Sequence, residues 1–96
     1  MARYELTVLA PVNASVVRIG EVLDKYCKEM SMTYTSESNY RLAYRVLDKD
    51  GKGHEVCDKH FWTFDMLNKY ARDVERELNE LPEVLRFLLV KISEEK

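Results

Sequence analysis

An alternation of apolar and polar residues near the start of the chain, together with an apolar segment near its end, constrains its fold more than any other feature of the sequence. In residues 3–10, every second side chain from Tyr4 to Ala10 is apolar, which predicts a strand with one buried face. Pro11 ends this strand because proline cannot donate a ladder hydrogen bond. Residues 84–92 are the most apolar segment and predict a second, terminal strand.

Two segments between these strands repeat apolar residues at steps of three and four, which indicates one apolar stripe on each of two helices. We expect the first helix over residues 15–30 and the second over residues 67–81. Between them, residues 32–47 and 55–64 are rich in aromatic and β-branched residues and flank the polar, glycine-containing residues 48–53. This pattern predicts a β-hairpin.

The predicted order of elements is therefore β-α-β-β-α-β. Since each helix has a single apolar stripe, both helices are expected to pack on one face of a four-stranded antiparallel sheet. This is the α+β, ferredoxin-like arrangement. Neither a linker nor a repeat interrupts residues 1–96, so we expect a single domain.

The composition of the chain argues against several classes of function. Fifteen Lys and Arg against seventeen Asp and Glu give a formal net charge of −2, which argues against a protein that coats nucleic acid by bulk positive charge. The three glycines cannot form a phosphate-binding loop, so a nucleotide-hydrolysing enzyme is not expected. Two cysteines without a CxxC motif, no apolar run of membrane-spanning length and no signal-peptide pattern predict a cytoplasmic protein.

The predicted hairpin contains the series His54, Cys57 and His60, whose side chains are of types that bind zinc or catalyse nucleophilic chemistry. On a regular strand, however, Cys57 points to the face opposite the two histidines. Nothing that resembles an oxyanion loop accompanies a Cys57–His60 pair. We therefore favour solvated hairpin residues over a zinc site or a nucleophile, and we expect no catalytic residue, metal or cofactor.

The last predicted strand has a second face that is of interest for binding. If Phe87 and Leu89 point toward the helices, alternation directs Arg86 and its alternate neighbours to the open face of the sheet. The first and last strands are neighbours in this fold, so an apolar patch for partner binding is expected from Leu9, Leu88 and Val90. Such a patch is either a docking surface or a set of ordinary exposed aliphatic residues.

Three segments carry a family resemblance: the opening Arg3-Tyr4-Glu5, the block Arg41-Leu42-Ala43-Tyr44 and the closing residues 84–91. In this order, and over nearly the whole chain, they resemble the family of the sixth protein of the bacterial small ribosomal subunit. The second predicted helix is similar in style. The family has the β-α-β-β-α-β fold that the alternation predicts independently.

The resemblance implies a structural, non-enzymatic, ribosome-associated protein. Members of the family bind the central domain of 16S ribosomal RNA as a heterodimer with a small basic partner, the eighteenth small-subunit protein. By position in the family's motifs, with Arg45 offsetting a cation missing at Tyr40, the implied RNA-binding residues are Arg3, Arg41, Arg45, Arg86 and Lys91. Arginine suits this role because its fork of donors matches phosphate. Leu42 and Tyr44 are expected to be structural.

A second interpretation also agrees with the sequence. A small cytoplasmic interaction or ligand-sensing module of this fold, homodimeric through its open sheet face, has the same pattern of strands and helices. The two interpretations differ in their partner, which is ribosomal RNA and a basic protein in the first and a second copy of the chain in the other. The hairpin around residues 48–59 is longer than is usual for the family, and the sequence leaves its role open.

Overall fold

The structure, a computed structural model, describes residues 2–27 and 32–94. Its elements, in chain order, are β1 (Ala2–Ala10), α1 (Val17–Tyr26), β2 (Thr33–Leu47), β3 (Gly53–Met66), α2 (Ala71–Glu80) and β4 (Arg86–Glu94). The predicted β-α-β-β-α-β order is confirmed. Among the described residues, no helix has the length and apolar character needed to cross a membrane.

The four strands form one antiparallel sheet in the order β2-β3-β1-β4, and both helices pack on one face of it. β1 is therefore central, and Leu6 lies opposite Trp62 of β3 and Leu89 of β4. The main core fills the space between this face and the helices, and its largest fully buried side chains include Phe64, Leu6, Ile19, Leu23 and Met66. The ferredoxin-like fold predicted from the alternation is confirmed.

The helices are shorter than their apolar stripes predict. α1 ends at Tyr26, because Cys27 adopts an extended conformation and forms an isolated antiparallel bridge with Met66. The predicted end of this helix at residue 30 lies outside the described residues. The second predicted helix begins with a single 3-10 turn, Asn68–Tyr70, before α2.

β4 begins at Arg86 because the two apolar residues before it do not continue the strand. The N–H of Val84 donates to the carbonyl oxygen of Leu81 (3.2 Å), whereas the N–H of Leu85 donates to the carbonyl oxygen of Leu9 (2.8 Å). Both side chains are buried, but Val84 joins the main core and Leu85 joins a separate cluster. The predicted strand over residues 84–92 therefore starts two residues too early.

The hairpin of β2 and β3 is longer than the rest of the sheet. β1 ends at Ala10, opposite Asp58, so residues 53–57 of β3 lie beyond the end of β1. The register between β2 and β3 also shifts twice, within residues 37–40 and within residues 41–46. These irregularities turn the end of the hairpin toward the face of the sheet that the helices leave open.

A second cluster of buried side chains holds the end of the hairpin against this open face. It consists of Val46, Cys57 and Leu85, with half-buried Leu9, Tyr40 and Leu42 packed around them. Burial raises the pKa of the Cys57 thiol, so this side chain is uncharged at neutral pH and behaves as a small apolar group. The sheet is therefore partly covered on both of its faces.

The carboxylate of Asp58 fastens the loop before α1 and an irregular part of β2 to the point where β1 ends. Its side chain is only 8% exposed. One oxygen accepts the backbone N–H of Asn13 (2.9 Å) and the other accepts that of Asn39 (3.0 Å). Both asparagines adopt left-handed conformations, with φ of 65° and 54°, which asparagine tolerates better than most residues. The two backbone donors hold the pKa of Asp58 below its usual value.

The polar tip of the hairpin is ordered by its own side chains. Asp48 accepts the backbone N–H groups of Asp50 and Lys52 (both 2.9 Å) and the Nε2–H of His54 (2.9 Å). These bonds hold the pKa of Asp48 below its usual value, with His54 as the largest cause. Lys49 Nζ donates to the carbonyl oxygen of Leu81 (2.6 Å), so the tip is docked beside the turn that precedes β4.

We predict that Leu6→Ala lowers the free energy of unfolding by roughly 2–5 kcal/mol, because it opens a cavity at the centre of the main core. Leu88→Ala is the matched control, since Leu88 is 62% exposed and its truncation is expected to change stability by about 0.5 kcal/mol or less. Urea unfolding followed by circular dichroism measures both. Equal losses for the two variants contradict the assigned facing of the sheet.

We also predict that Asp58→Asn lowers the free energy of unfolding by roughly 1–3 kcal/mol at neutral pH. An amide has one acceptor oxygen where the carboxylate has two, so one backbone N–H loses its partner. Because the folded-state pKa of Asp58 is lowered, its contribution is complete above the unfolded-state pKa of about 3.9 and is lost as the pH falls through the folded-state value.

The stability gap between the wild type and Asp58→Asn should therefore shrink as the pH falls below about 4. Urea unfolding at a series of pH values measures this gap. Glu55→Gln is the control, because Glu55 is exposed on the same strand. A gap that stays constant down to the lowest accessible pH contradicts the role given to the ionised carboxylate.

Candidate functional site

The open face of the sheet carries the residues predicted to bind a partner. Leu88 lies opposite Thr7 and Val90 opposite Glu5, and the two aliphatic side chains are 62% and 42% exposed. Leu9 shares this face but is half-buried, because the second cluster packs against it. The exposed part of the predicted apolar patch is therefore Leu88 with Val90, and Leu9 forms its partly covered margin.

Beside Leu88, a groove of about 410 Å³ lies between β4 and the curled end of β2. We call it the open-face groove. Its lining combines an apolar floor with aromatic rings and two cations, and it includes no carboxylate from the described residues. The groove is lined by Thr7, Leu9, Tyr40, Leu42, Ala43, Tyr44, Val46, Lys59, Arg86, Phe87 and Leu88.

Lys59 is the cation on the β3 side of the open-face groove. Its position opposite Leu9 places it on the open face. Its Nζ lies 4.3 Å from the ring centroid of Tyr40 and 5.5 Å from that of Phe61, so the ammonium is held over aromatic faces. This contact orients the side chain but does not neutralise its charge.

Arg86 is the cation at the opposite wall, where β4 begins. Its Nη1 donates to the carbonyl oxygen of Leu85 (2.6 Å) and, at 3.4 Å, to that of Leu47. The guanidinium is thereby fastened to the hairpin end as well as to its own strand. Because a guanidinium has five N–H donors and both contacts use Nη1, donors remain for an anion.

Tyr44 stands at the rim of the groove and is 77% exposed. It lies within the second register shift of β2, where the strand takes five steps from Arg41 to Val46 while β3 takes two. The extra residues bulge away from the ladder, which carries Tyr44 outward. The expectation that Leu42 is structural agrees with its place in the second cluster, but Tyr44 is not buried.

Two further predicted RNA-binding cations lie away from the groove, one on the central strand β1 and one on the edge strand β4. Arg3 is at the N-terminal end of β1 and pairs with Asp65 of β3, with 3.2 Å between the arginine Nε and the aspartate Oδ1. Lys91 lies opposite Tyr4, which belongs to the main core, so Lys91 is on the helix side of β4. Its side chain is exposed there.

The remaining two predicted cations lie on the other side of the curled hairpin. Arg41 follows Tyr40 in an extended strand and therefore points away from the second cluster. Arg45 crosses Gly53 so closely that a Cβ at that position would lie 1.6 Å from the arginine Nε. The five cations thus form no single patch, and of these it is Arg86 that lines the open-face groove.

Sequence reasoning missed Lys59, Tyr40 and Tyr44 as groove residues. A signal for Lys59 was present, since alternation along β3 places it on the face opposite Trp62. No comparable signal existed for the tyrosines. The two register shifts in β2 break the simple count of alternate residues, and the sequence around them carries no feature that marks a bulge.

The histidines and the cysteine of the hairpin do not come together. Cys57 is buried in the second cluster, whereas His60 lies on the helix side, hydrogen-bonded through Nδ1 to the Tyr34 hydroxyl (2.6 Å). Burial lowers the pKa of His60, and nearby Asp58 partly offsets this effect. His54 is bonded to the hairpin tip. Within residues 2–27 and 32–94, no group of three His, Cys, Asp or Glu side chains is placed to hold a metal ion.

Comparison with known proteins identifies a similar fold. No protein-family model matches the sequence. No curated protein sequence is detectably similar to it. Among solved structures, the crystal structure of 30S ribosomal protein S6 from Thermotoga maritima superposes with a TM-score of 0.67 at 15% sequence identity, covering 95% of this chain and 87% of that chain. At this identity the likeness establishes the fold, and this chain shares the fold of ribosomal protein S6 over nearly its whole length.

Proposed function

We propose that this protein is a structural component of the small ribosomal subunit. In this role it binds the central domain of 16S ribosomal RNA together with the eighteenth small-subunit protein, in the cytoplasm and without catalytic activity. The observation that carries the proposal is the fold shared with ribosomal protein S6 over 95% of the chain. The three sequence segments that resemble the same family supply independent support.

The arrangement of charge supports few and separate RNA contacts. The chain has a net charge of −2, so attraction to the RNA backbone depends on local cations. The five proposed RNA-binding residues lie at strand ends, on the sheet edge and on the outer side of the hairpin: Arg3, Arg41, Arg45, Arg86 and Lys91. Such a distribution suits contacts with several separate phosphates, while a basic partner neutralises others.

Exposed apolar residues at the edge of the open face support the proposal that a protein partner binds there. Leu88 and Val90 are consecutive residues on the open face of β4. An exposed apolar pair next to the cation Arg86 is typical of the edge of a protein-binding surface. We propose that these two residues, with the half-buried Leu9 beside them, contact the basic partner. The surplus of acids over the whole chain favours such a partner electrostatically.

The burial of Cys57, the candidate nucleophile, supports the proposal of a non-enzymatic role. Cys57 is fully buried and burial raises its pKa, which disfavours the reactive thiolate. His60, the nearby base, lies on the opposite face of the same strand and is bonded to Tyr34. These two side chains therefore lack the contact that nucleophilic catalysis requires.

A second candidate function rests on the edge strand itself. β4 exposes Leu88, Val90 and Ile92 along one side of the sheet, and such an edge favours pairing with another chain. A homodimeric interaction module uses the same surface for self-association. Light scattering of the purified protein distinguishes the two functions: a stable dimer that Leu88→Asp dissociates favours the module, and a monomer favours the ribosomal role.

We predict that the protein shifts central-domain 16S ribosomal RNA in a native gel, and more strongly when the eighteenth small-subunit protein is present. If all five cations contact phosphates, the slope of log binding constant against log salt is expected to be no steeper than about −4.5. Arg86→Glu should weaken binding and reduce the magnitude of this slope by about 1.

Arg72→Glu is the matched control for this experiment, because it makes the same charge change at an exposed position on α2. It is expected to leave binding nearly unchanged, and circular dichroism checks that both variants fold. Absence of binding at low salt, with and without the partner, contradicts the proposed function. Copurification from the native host tests it independently by asking whether the protein travels with the small subunit.

A further inference from the structure

We propose that the open-face groove binds an unpaired nucleotide of single-stranded RNA, with its base against Tyr44 and its phosphates between Lys59 and Arg86. The choice of RNA as ligand rests in part on the proposed function. The inference deepens that function, since it names the form of RNA and the site that receives it. Its support comes from the shape, the exposed ring and the charge of the groove.

The shape and floor of the groove suit a planar, largely apolar group. Its volume of about 410 Å³ falls within the range of about 300–1,000 Å³ that is typical of small-ligand sites. The floor is formed by side chains of the second cluster, Leu9, Leu42 and Val46. Because this cluster is packed and partly buried, the floor is already formed before a ligand arrives.

The exposure of Tyr44 gives the groove a stacking surface. A tyrosine side chain that is 77% exposed leaves most of an aromatic face in water, and covering it with a nucleobase removes apolar surface from both partners. Tyr40 lines the same groove, with its ring beneath the ammonium of Lys59. Exposed aromatic residues on the open face of a four-stranded sheet are a recurrent means of stacking RNA bases.

The charge of the lining favours a ligand that is anionic as well as aromatic. Lys59 and Arg86 stand on opposite walls, and the lining includes no carboxylate from the described residues. Of the acids on the same face, Glu37 lies opposite Lys59 and Glu5 lies opposite Val90, both outside the lining. An acidic peptide satisfies the cations but presents no planar base to Tyr44, so a nucleotide accounts for more of the site.

The same geometry selects single-stranded over double-stranded RNA. In a duplex the bases are stacked on one another, and their faces are closed to a protein side chain. An unpaired nucleotide presents one free face, and stacking on an aromatic residue tolerates any base. We therefore expect weak dependence on base identity and strong dependence on strandedness.

The test uses the full chain and a fluorescently labelled oligouridine of about eight nucleotides at low salt. Fluorescence anisotropy is expected to show binding that a duplex of the same length does not reproduce. Tyr44→Ala should weaken binding about tenfold, whereas Tyr44→Phe, which keeps the stacking face, should bind within about twofold of the wild type.

A matched pair of lysine variants tests the cationic wall. Lys59→Gln should weaken binding several-fold and reduce the salt dependence. Lys69→Gln should do neither, although Lys69 is likewise a lysine held over a tyrosine, with 5.2 Å from its Nζ to the Tyr70 ring centroid, outside the groove. Circular dichroism checks that each variant is folded.

Two outcomes overturn the inference and leave the proposed function standing. One is binding of central-domain RNA with no measurable binding of the oligouridine. The other is oligouridine binding that both Tyr44→Ala and Lys59→Gln leave unchanged, because the RNA then binds outside the groove. Oligouridine binding that depends on Tyr44, without binding of central-domain RNA, supports the groove and instead contradicts the ribosomal role.

Discussion

The buried carboxylate of Asp58 is the interaction on which the less regular half of the molecule depends. It lies where β1 ends, and its two oxygens hold the backbone of Asn13 and Asn39 in left-handed conformations. The first contact fixes the entry to α1, and the second fixes the place where β2 departs from regular pairing with β3. One ionised group thus sets the direction of a helix loop and of the hairpin together.

The change of direction in the hairpin explains why the sheet has apolar packing on both faces. On the helix side, the core is that of an ordinary two-layer α+β domain. On the open side, the curled strands bury Val46, Cys57 and Leu85 in a smaller cluster. This cluster holds the curled end of β2 beside β4, which turns an otherwise flat sheet face into a groove with Lys59 and Arg86 on opposite sides.

The periodicity of the sequence was sufficient to predict the regular half of the fold. Buried residues of β1 alternate as expected, and the outward facing of Leu88 and Val90 follows from the same count. The count of alternate residues failed where β2 has more residues than the part of β3 that faces it. This occurs at the register shifts on either side of Tyr40 and Arg41. Tyr44 did not stand out because its place at the groove depends on the second of these shifts, whereas alternation along β3 was sufficient to place Lys59 on the open face.

The burial of Cys57 has a consequence for the motions of the molecule. Its thiol is fully buried in the second cluster and is uncharged at neutral pH, so a thiol reagent reaches it only when that cluster opens. The rate at which this sulfur reacts is therefore a measure of local opening. It reports how often the second cluster opens, separately from the global stability of the helix-side core.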